Sequence, residues 1–492
     1  MLWKNLREFI AFLEEKGDLQ RVRSRVSPRL EVTELALRSI RSDGPALLLE
    51  NVEGSSWPLV INLLASERRI AWALGGETLN DSVQKIEDLF KLKPPQGIGE
   101  ILRSPGKAID ELQTLRSLFP KTVSRGPCQD KETGDIDLSR LPILTCWPKD
   151  GGPTITFPLV ITKNPDTGEQ NAGVYRLQKY GKDTIGMHWQ VHRIGAENWR
   201  RYQKRGEEMP VAVALGADPT TVFSGVAPVP EGISKFAFSG LMRGKSVEMV
   251  KCKTIDLEVP AESEIVLEGH VKPGESHVEG PFGDHTGYYS LPEAFPVMHV
   301  ERMTWREDPV YLTTVTGKPP TEDAVIGDAI THLFLPVIKM VQPEIVDLSL
   351  PMEGLLINVA VVSIKKSYPG QARKVMHALW GLGQMIFVRY IVVVDHDVDP
   401  HDMKEVLYRV GLQADPSEDL ELVKGPVDQL SISNRRENVG GKIGIDATRK
   451  WPDEGYTRPW PQEADMDKAV VERIDEFLKG EPLLAKILKR GA

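Results

Sequence analysis

The chain has 492 residues, which at about 150 residues per domain implies roughly three domains and excludes a single small binding module. Its 41% hydrophobic and 27% charged content is that of an ordinary globular protein and not of a disordered one. Lys and Arg total 61 against 70 Asp and Glu, a formal charge of -9, so bulk electrostatics make no case for a nucleic-acid partner or an anionic membrane surface and leave room only for a local basic pocket.

In the first helix Leu6, Phe9, Ile10 and Leu13 fall at i, i+3, i+4 and i+7, Asn5 and Glu8 form a capping-box pattern, and Gly17 ends the element. The acidic residues Glu8, Glu14 and Glu15 argue against a secretory signal or a transit peptide. PALLLENV and PLVINLLA read as short buried strands, followed by a helical stretch around Asp81 to Leu92, as in an α/β module. The Pro- and Gly-rich KLKPPQGIGEILRSPGK places a boundary near residues 95 to 120.

From about 150 to 320 strands dominate: TITFPLVITK, NAGVYRLQKY and TIGMHWQVHR, separated by NPDTGEQ and GKD, predict a β-meander. MPVAVALG, SEIVLEGHV and FPVMHVERMTW extend it toward a barrel. Pro228 and Pro230 ahead of Phe236, Phe238 and Leu241 predict one interrupting helix from near Ser234. Beyond 325, LLINVAVVSIK, GQARKVMHALWGL, RYIVVVDHDVD and HDMKEVLYRVGL read as a βαβα run. DKAVVERIDEFLKG, with Val470, Ile474, Phe477 and Leu478 on one face, and PLLAKILK are terminal helices that dock either on their own subunit or on a neighbour.

Cys128, Cys146 and Cys252, widely spaced and without a CxxC pair, exclude a disulfide framework and a structural zinc module, and imply a reducing compartment. Apolar runs such as the one from Ile391 to Val394 fall far short of the roughly 20 residues of a bilayer span, so a cytoplasmic protein is expected. No nucleophile elbow, Walker loop, dinucleotide GxGxxG or HExxH motif is present.

Two stretches place chemically capable groups among strand residues. In NAGVYRLQKYGKDTIGMHWQVHRIG, Asn171, Arg176, His188, Trp189, His192 and Arg193 are expected on adjacent strands of one hairpin, with Val174, Arg176 and Gln178 on one side and Tyr175, Leu177 and Lys179 on the other. An amide oxygen, imidazoles and guanidinium groups suit a metal bridged to a phosphate; the same residues also suit satisfied barrel histidines and surface arginines. In HVEGPFGDHTGYY, a Gly-Pro turn separates Glu279 from Asp284 and can aim both carboxylates into one cavity. Such a pair near an arginine can keep one acid protonated and the other charged, the arrangement needed for general acid chemistry; two solvated turn carboxylates are the alternative.

NAGVYR, MHWQVHRIG, VPEGISKFAFSGLMRG, LEVPAESEIVLEG, EGPFGDHTGYY and GGKIGIDATRKWP resemble the UbiD family of prenylated-FMN-dependent decarboxylases. The resemblance implies α/β and β parts: an N-terminal α/β domain (1–115), a split β-barrel cofactor domain like that of flavin reductases (116–322), a C-terminal α/β domain (323–455) and a helical extension (456–492) that builds a homodimer or homohexamer. It implies Asn171 and His192 as ligands of a manganese ion on the cofactor phosphate, and Val174, Tyr175, Arg176, His188, Trp189, Gln190, His192, Arg193 and Ile194 as cofactor contacts. Arg176, Glu279 and Asp284 match the catalytic trio, with Arg176 holding the substrate carboxylate, Glu279 helping to orient the isoalloxazine and Asp284 delivering the proton that replaces carbon dioxide. Prenylated FMN supplies the electron sink, a flavin prenyltransferase supplies prenylated FMN, and potassium is a further candidate ion.

At one position the chain departs from the family: Lys235 stands where the third metal ligand, a glutamate, is expected. A charged ammonium has no lone pair to give manganese, but it can pair with the phosphate itself. The expectation is a cofactor held with a weakened metal site or none, with Glu231 as a substitute ligand of lower standing. The implied activity is non-oxidative, reversible decarboxylation of an aromatic or α,β-unsaturated acid, such as 3-polyprenyl-4-hydroxybenzoate or a related acid of ubiquinone or menaquinone synthesis; a polyprenylated substrate would bring the enzyme to the membrane surface. Reverse carboxylation, and a non-catalytic cofactor-binding or assembly subunit, are the alternatives.

Overall fold

The computed structural model describes residues 3–91, 115–229, 233–462 and 464–488. The boundary expected near 95 to 120 falls largely outside them. The chain divides into two compact units, Met1–Thr448 and Arg449–Ala492.

Helix Leu6–Glu15 (α1) starts where Asn5 accepts the Glu8 N–H and stops before Gly17, whose φ of +73° is left-handed. The Glu8 carboxylate caps Lys4 N–H rather than Asn5 N–H, so only half of the expected capping box forms. Strands Leu19–Val22 (β1), Ala46–Leu49 (β2) and Leu59–Ile61 (β3), with helices Glu31–Arg41 (α2), Glu67–Ala73 (α3) and Leu79–Lys91 (α4), make the first α/β layer. Its sheet runs β1, β2, β3 and is completed by Tyr311–Leu312, pairing parallel to β3.

Short strands Lys121–Val123 (β4) and Lys131–Thr133 (β5) precede Thr154–Ile155 (β6), Leu159–Lys163 (β7), Gln170–Val174 (β8), Leu177–Gln178 (β9) and Thr184–Gly186 (β10). Helix Ile194–Arg205 (α5), strand Met209–Leu215 (β11) and helices Pro219–Val226 (α6) and Lys235–Arg243 (α7) follow. Then come Glu248–Lys251 (β12), Glu258–Pro260 (β13), Ile265–Glu279 (β14), Glu293–Trp305 (β15) and the Tyr311–Leu312 strand (β16). The main sheet is ordered β10-β15-β14-β11-β7-β8, with β5 also on β15. Among the described residues no ladder joins β8 to β10, so the sheet is open and not a closed barrel.

Period-two burial explains why this sheet is a scaffold. In β11, Ala212 and Ala214 enter one core with Phe223 and Phe236, while Val211, Val213 and Leu215 enter another with Trp57, Trp189 and Trp199. The alternate residues of β2 divide between the same two cores, Ala46 and Leu48 against Leu47 and Leu49. Each fully buried Val or Leu contributes about 1.5–3 kcal/mol, so the first layer and the main sheet are stabilised together.

Helix Glu322–Val341 (α8) leads to a sheet ordered β17-β18-β19-β21-β20 from Ile345–Ser349 (β17), Val359–Ile364 (β18), Tyr390–Asp395 (β19), Leu420–Pro426 (β20) and Val439–Asp446 (β21). Helices Gln371–Trp380 (α9) and Met403–Gln413 (α10) complete the expected βαβα run. At 20 residues and a mean hydropathy of 1.6, α8 reaches the length and composition of a membrane span, which no apolar run in the sequence had suggested. Its Ile326, Ala329, Leu333 and Phe334 are instead built into the first core, and Pro336 lies within it. In the second unit, helices Lys468–Lys479 (α11) and Pro482–Leu488 (α12) form; Val471, Ile474 and Phe477 of α11 are exposed.

Candidate active site

Arg176 lies in the two-residue gap where the chain leaves β8 and joins β6 through β9. Tyr175 and Leu177 turn into the core, so Arg176 and Gln178 point the other way, as alternation predicts. Gln178 Oε1 accepts Gly280 N–H at 2.7 Å, which fixes the end of β14 beside them. Arg176 Nε meets Glu279 Oε1 at 2.9 Å and Nη2 meets Oε2 at 3.3 Å, while Nη1 bonds Asp284 Oδ2. The guanidinium also lies 4.7 Å from the Phe282 ring centroid. With 9% of its side chain exposed, Arg176 is a site group and not a surface charge.

The turn after Glu279 is held from several sides. Asp150 accepts Gly283 N–H at 2.9 Å, Ser290 Oγ accepts Phe282 N–H at 3.1 Å, and Gly287 N–H bonds the Asp284 carbonyl at 2.8 Å. Gly287 has φ +76°, and a Cβ there would sit 3.0 Å from Lys318 Cβ, so the turn requires glycine.

The two carboxylates do not divide into one protonated and one charged acid. Burial works to raise Glu279, but the His188 hydrogen bond and the Arg176 charge outweigh it and hold the group below its usual range. Asp284 follows the same pattern: burial is outweighed by Arg176 and His285, and the carboxyl is strongly depressed. Neighbouring acids that burial does push up are Asp150, Glu293 and Asp323. The expected split fails because Arg176 serves both carboxylates and each has a histidine besides.

His188 and Trp189 follow β10 in a loop running into α5, and with His192 and Arg193 they are not on a strand facing β8. This corrects the hairpin expectation: β10 pairs with β15, and among the described residues the predicted pairing keeps the Lys179–Ile185 bridge and the turn bonds from Tyr180 and Gly181 N–H to the Thr184 carbonyl. His188 is buried against Phe295, ring centroids 4.3 Å apart, and its Nδ1 lies 2.7 Å from Glu279 Oε2. Burial and Arg176 push its pKa down, so a neutral ring donates Nδ1–H to the carboxylate and presents Nε2 as a lone pair. Among the described residues, that Nε2 and the buried Trp189 Nε1–H have no hydrogen-bond partner.

Trp189 Nε1 points at the start of α5: a Cβ on Gly195 would lie 2.8 Å from it and 3.3 Å from Tyr175 Oη. Arg193 is the N-cap of α5 and makes no side-chain cap bond, and in the first turn Gly195 N–H donates to Tyr175 Oη at 3.4 Å. Arg193 stands close enough to Tyr175 and Lys235 to act on both electrostatically. A buried acceptor, a buried donor and a cationic helix N-terminus fit a flavin with a phosphate tail. Val174, Gln190 and Ile194 lie on the same segments, with Ile194 exposed.

The metal set fits less well. Asn171, paired in register with Thr162, lies on the sheet face covered by α5, since Asn198 of α5 bonds Thr162 Oγ1 at 3.0 Å. His192 is exposed, its ring 5.4 Å from that of Phe387, and no hydrogen bond or ion pair joins it to Asn171 among the described residues. Lys235 Nζ donates to the Ala227 carbonyl, and burial and Arg193 lower its pKa to about 8. An ammonium at this position offers no electron pair and repels a divalent ion, so these side chains do not make a three-ligand manganese site. Glu231 lies outside the described residues. Three donors do converge at Asp347, Asp399 and His401, on the C-terminal sheet's surface and apart from the expected ligands.

Family patterns described as the N-terminal, Rift-related and C-terminal domains of 3-octaprenyl-4-hydroxybenzoate carboxy-lyase match residues 10–91, 121–319 and 324–447. The chain belongs to the UbiD family. It is 47% identical over 477 residues to an uncharacterised protein of Archaeoglobus fulgidus, covering 96% of this chain and 98% of that one. Among solved structures, the closed form of Sedimentibacter hydroxybenzoicus vanillic acid decarboxylase is similar at a TM-score of 0.85 and 26% identity, over 97% of this chain and 100% of that one. The UbiD-class enzyme HmfF of Pelotomaculum thermopropionicum, in complex with FMN, has a TM-score of 0.76 and 29% identity over 95% and 99%. The chain is thus a member of a carboxy-lyase family.

Several residues of this UbiD site escaped sequence reasoning. Asp150 and Ser290 brace the turn from remote positions with no local pattern to mark them. His285 adjoins Asp284 in EGPFGDHTGYY; its side-chain contact with that carboxylate is visible only in three dimensions. The three cysteines are free, and burial pushes Cys128 and Cys146 up to about 12, which leaves neither as a nucleophile.

Proposed function

We propose that this protein catalyses non-oxidative, reversible decarboxylation of an aromatic or α,β-unsaturated carboxylic acid with prenylated FMN. The observation carrying the proposal is the buried Arg176 held by Glu279 and Asp284, next to polar atoms of His188 and Trp189 that have no partner among the described residues. Arg176 turns from Asp284 to the substrate carboxylate while Glu279 keeps the guanidinium oriented. Asp284, freed of its cation, takes up a proton and delivers it to the carbon that loses carbon dioxide. When bound, the modified flavin supplies the electron sink for the pair left by the departing carboxylate. His188 Nε2, Trp189 Nε1 and the α5 N-terminus would hold the cofactor's polar groups and phosphate, and Arg193 and Lys235 would carry the counter-charge that a metal would otherwise provide. Val278, Tyr288 and Leu291, exposed around the Glu279–Asp284 turn, suit an aromatic substrate.

A cytoplasmic setting agrees with the free cysteines. The exposed apolar face of α11 agrees with a homo-oligomer. The test is expression with and without a flavin prenyltransferase, followed by absorbance of the purified protein and carbon dioxide release from a panel of aryl and cinnamic acids. Flavin absorbance and release only after co-expression are expected. No bound flavin under either condition would favour the non-catalytic alternative.

A further inference from the structure

Asp284 has a second partner that the proposed chemistry has not used. Its Oδ1 accepts the His285 backbone N–H at 2.7 Å and lies 3.0 Å from His285 Nδ1, while its Oδ2 belongs to Arg176. The turn fixes this pairing, because Asp284 N–H bonds the Tyr288 carbonyl and Gly287 N–H returns to the Asp284 carbonyl. The imidazole also faces two further carboxylates from other elements, Asp323 at the start of α8 and Asp428 in the loop between β20 and β21. Asp428 is 8% exposed and the His285 side chain 19%, so solvent screens this grouping only in part.

We infer that His285 is the residue that loads Asp284 with a proton in each turnover, a positioning and relay role that rests on the decarboxylase reading. Three carboxylates around one imidazole outweigh its burial and raise its pKa to about 9, which keeps it an imidazolium at neutral pH. Once Arg176 leaves Asp284 for a substrate carboxylate, Oδ1 and the imidazolium remain in contact. The Nδ1–H bond then breaks as an Oδ1–H bond forms, turning an ion pair into a neutral imidazole and a carboxylic acid. Rotation of the carboxyl presents that O–H to the substrate carbon. There the O–H bond breaks and a C–H bond forms with the electron pair of the lost C–C bond. Water returns a proton to the imidazole, so each turnover consumes one proton and releases one carbon dioxide.

The test has two arms. In the first, the purified protein labelled with 13C-histidine is titrated by NMR, alongside D284N. The His285 signal is expected to stay protonated into the alkaline range and to titrate at lower pH in D284N; the same titration in both proteins would overturn the pairing. In the second, the holoenzyme and H285N, whose amide keeps a donor near the Nδ1 position but no transferable proton, are assayed on whichever aryl or cinnamic acid the wild type converts. H285N is expected to lose about 10- to 100-fold in kcat with little change in KM, to lose the alkaline limb of its kcat–pH profile and to show a larger solvent deuterium isotope effect. Wild-type kcat and pH profile in H285N would overturn the relay. Absence of turnover by the wild type on every acid would overturn the decarboxylase reading and the relay with it, while the NMR arm would still decide the pairing.

Discussion

Arg176 and Glu279, 103 positions apart, form a two-point fork at 2.9 and 3.3 Å in a setting where Glu279 is only 1% exposed. Lysine offers a point charge and no planar fork. R176K should therefore keep the fold yet lose about 10²–10³-fold in kcat, the scale of removing one aligned charge donor. R176A takes the shared cation from two buried carboxylates and leaves each only its histidine, so it should cost about 3–5 kcal/mol of stability, read by urea unfolding. Near-wild-type stability of R176A would mean that the trio is wetter than its geometry indicates.

Asp284→Asn retains the size of the side chain and can still bond His285 N–H, but has no proton to deliver. It should bind flavin with an unchanged absorbance spectrum and lose about 10²–10⁴-fold in turnover. Retained turnover would remove Asp284 as the proton donor.

The Asp284–His285 pair also makes stability depend on pH, and the sign follows from each partner. His285 is raised from 6.5 to about 9, so its stabilisation is complete below pH 6.5 and is lost as pH rises through 9. Asp284 is depressed from 3.8, so its stabilisation is present above pH 3.8 and is lost as pH falls below that. The stability difference between wild type and H285Q, measured by denaturant unfolding, should be largest between about pH 4 and 6.5 and shrink toward pH 9. A difference that grows from pH 6.5 to 9 would contradict the pairing.

Lys235→Glu replaces an ammonium beside Arg193 with a carboxylate that can ligate a metal. Grown with manganese, K235E should carry more of the ion per chain than the wild type by elemental analysis, toward about one equivalent. High manganese occupancy of the wild type would show that the cationic pocket tolerates the metal.

Gly195→Ala would press a methyl group to 2.8 Å from Trp189 Nε1. Such overpacking costs about 1–3 kcal/mol, and here it displaces the indole from the helix N-terminus. Flavin affinity should fall about tenfold or more by fluorescence titration. Unchanged affinity would remove Trp189 and the α5 terminus from the cofactor site.

Local chemistry made much of the molecule legible. The spacing of Leu6, Phe9, Ile10 and Leu13 determined α1, alternating apolar runs determined β11, β14 and β15, and Ser234 marked the start of α7 within one residue. The motifs around Arg176, Glu279 and Asp284 carried the family and the trio. The loop from His188 to Arg193 was less legible, because its residues suit a strand until Pro296, the last β15 residue to bond this segment, leaves Met187 behind and α5 begins. Helix α8 was missed because its charged start and internal Pro336 obscure an apolar helix that the first core stabilises.

By itself the sequence determined most of the elements, the family and the residue types of the site, since these follow from periodicity, turn chemistry and short motifs. Only the tertiary structure decided that Arg176 serves both carboxylates at once and that His285 meets Asp284 under Asp323 and Asp428. It also placed Lys235 beside Arg193. The physical reason is that charge and hydrogen-bond energies depend on distance and burial, and segments more than 100 positions apart acquire both only when the sheets close around them.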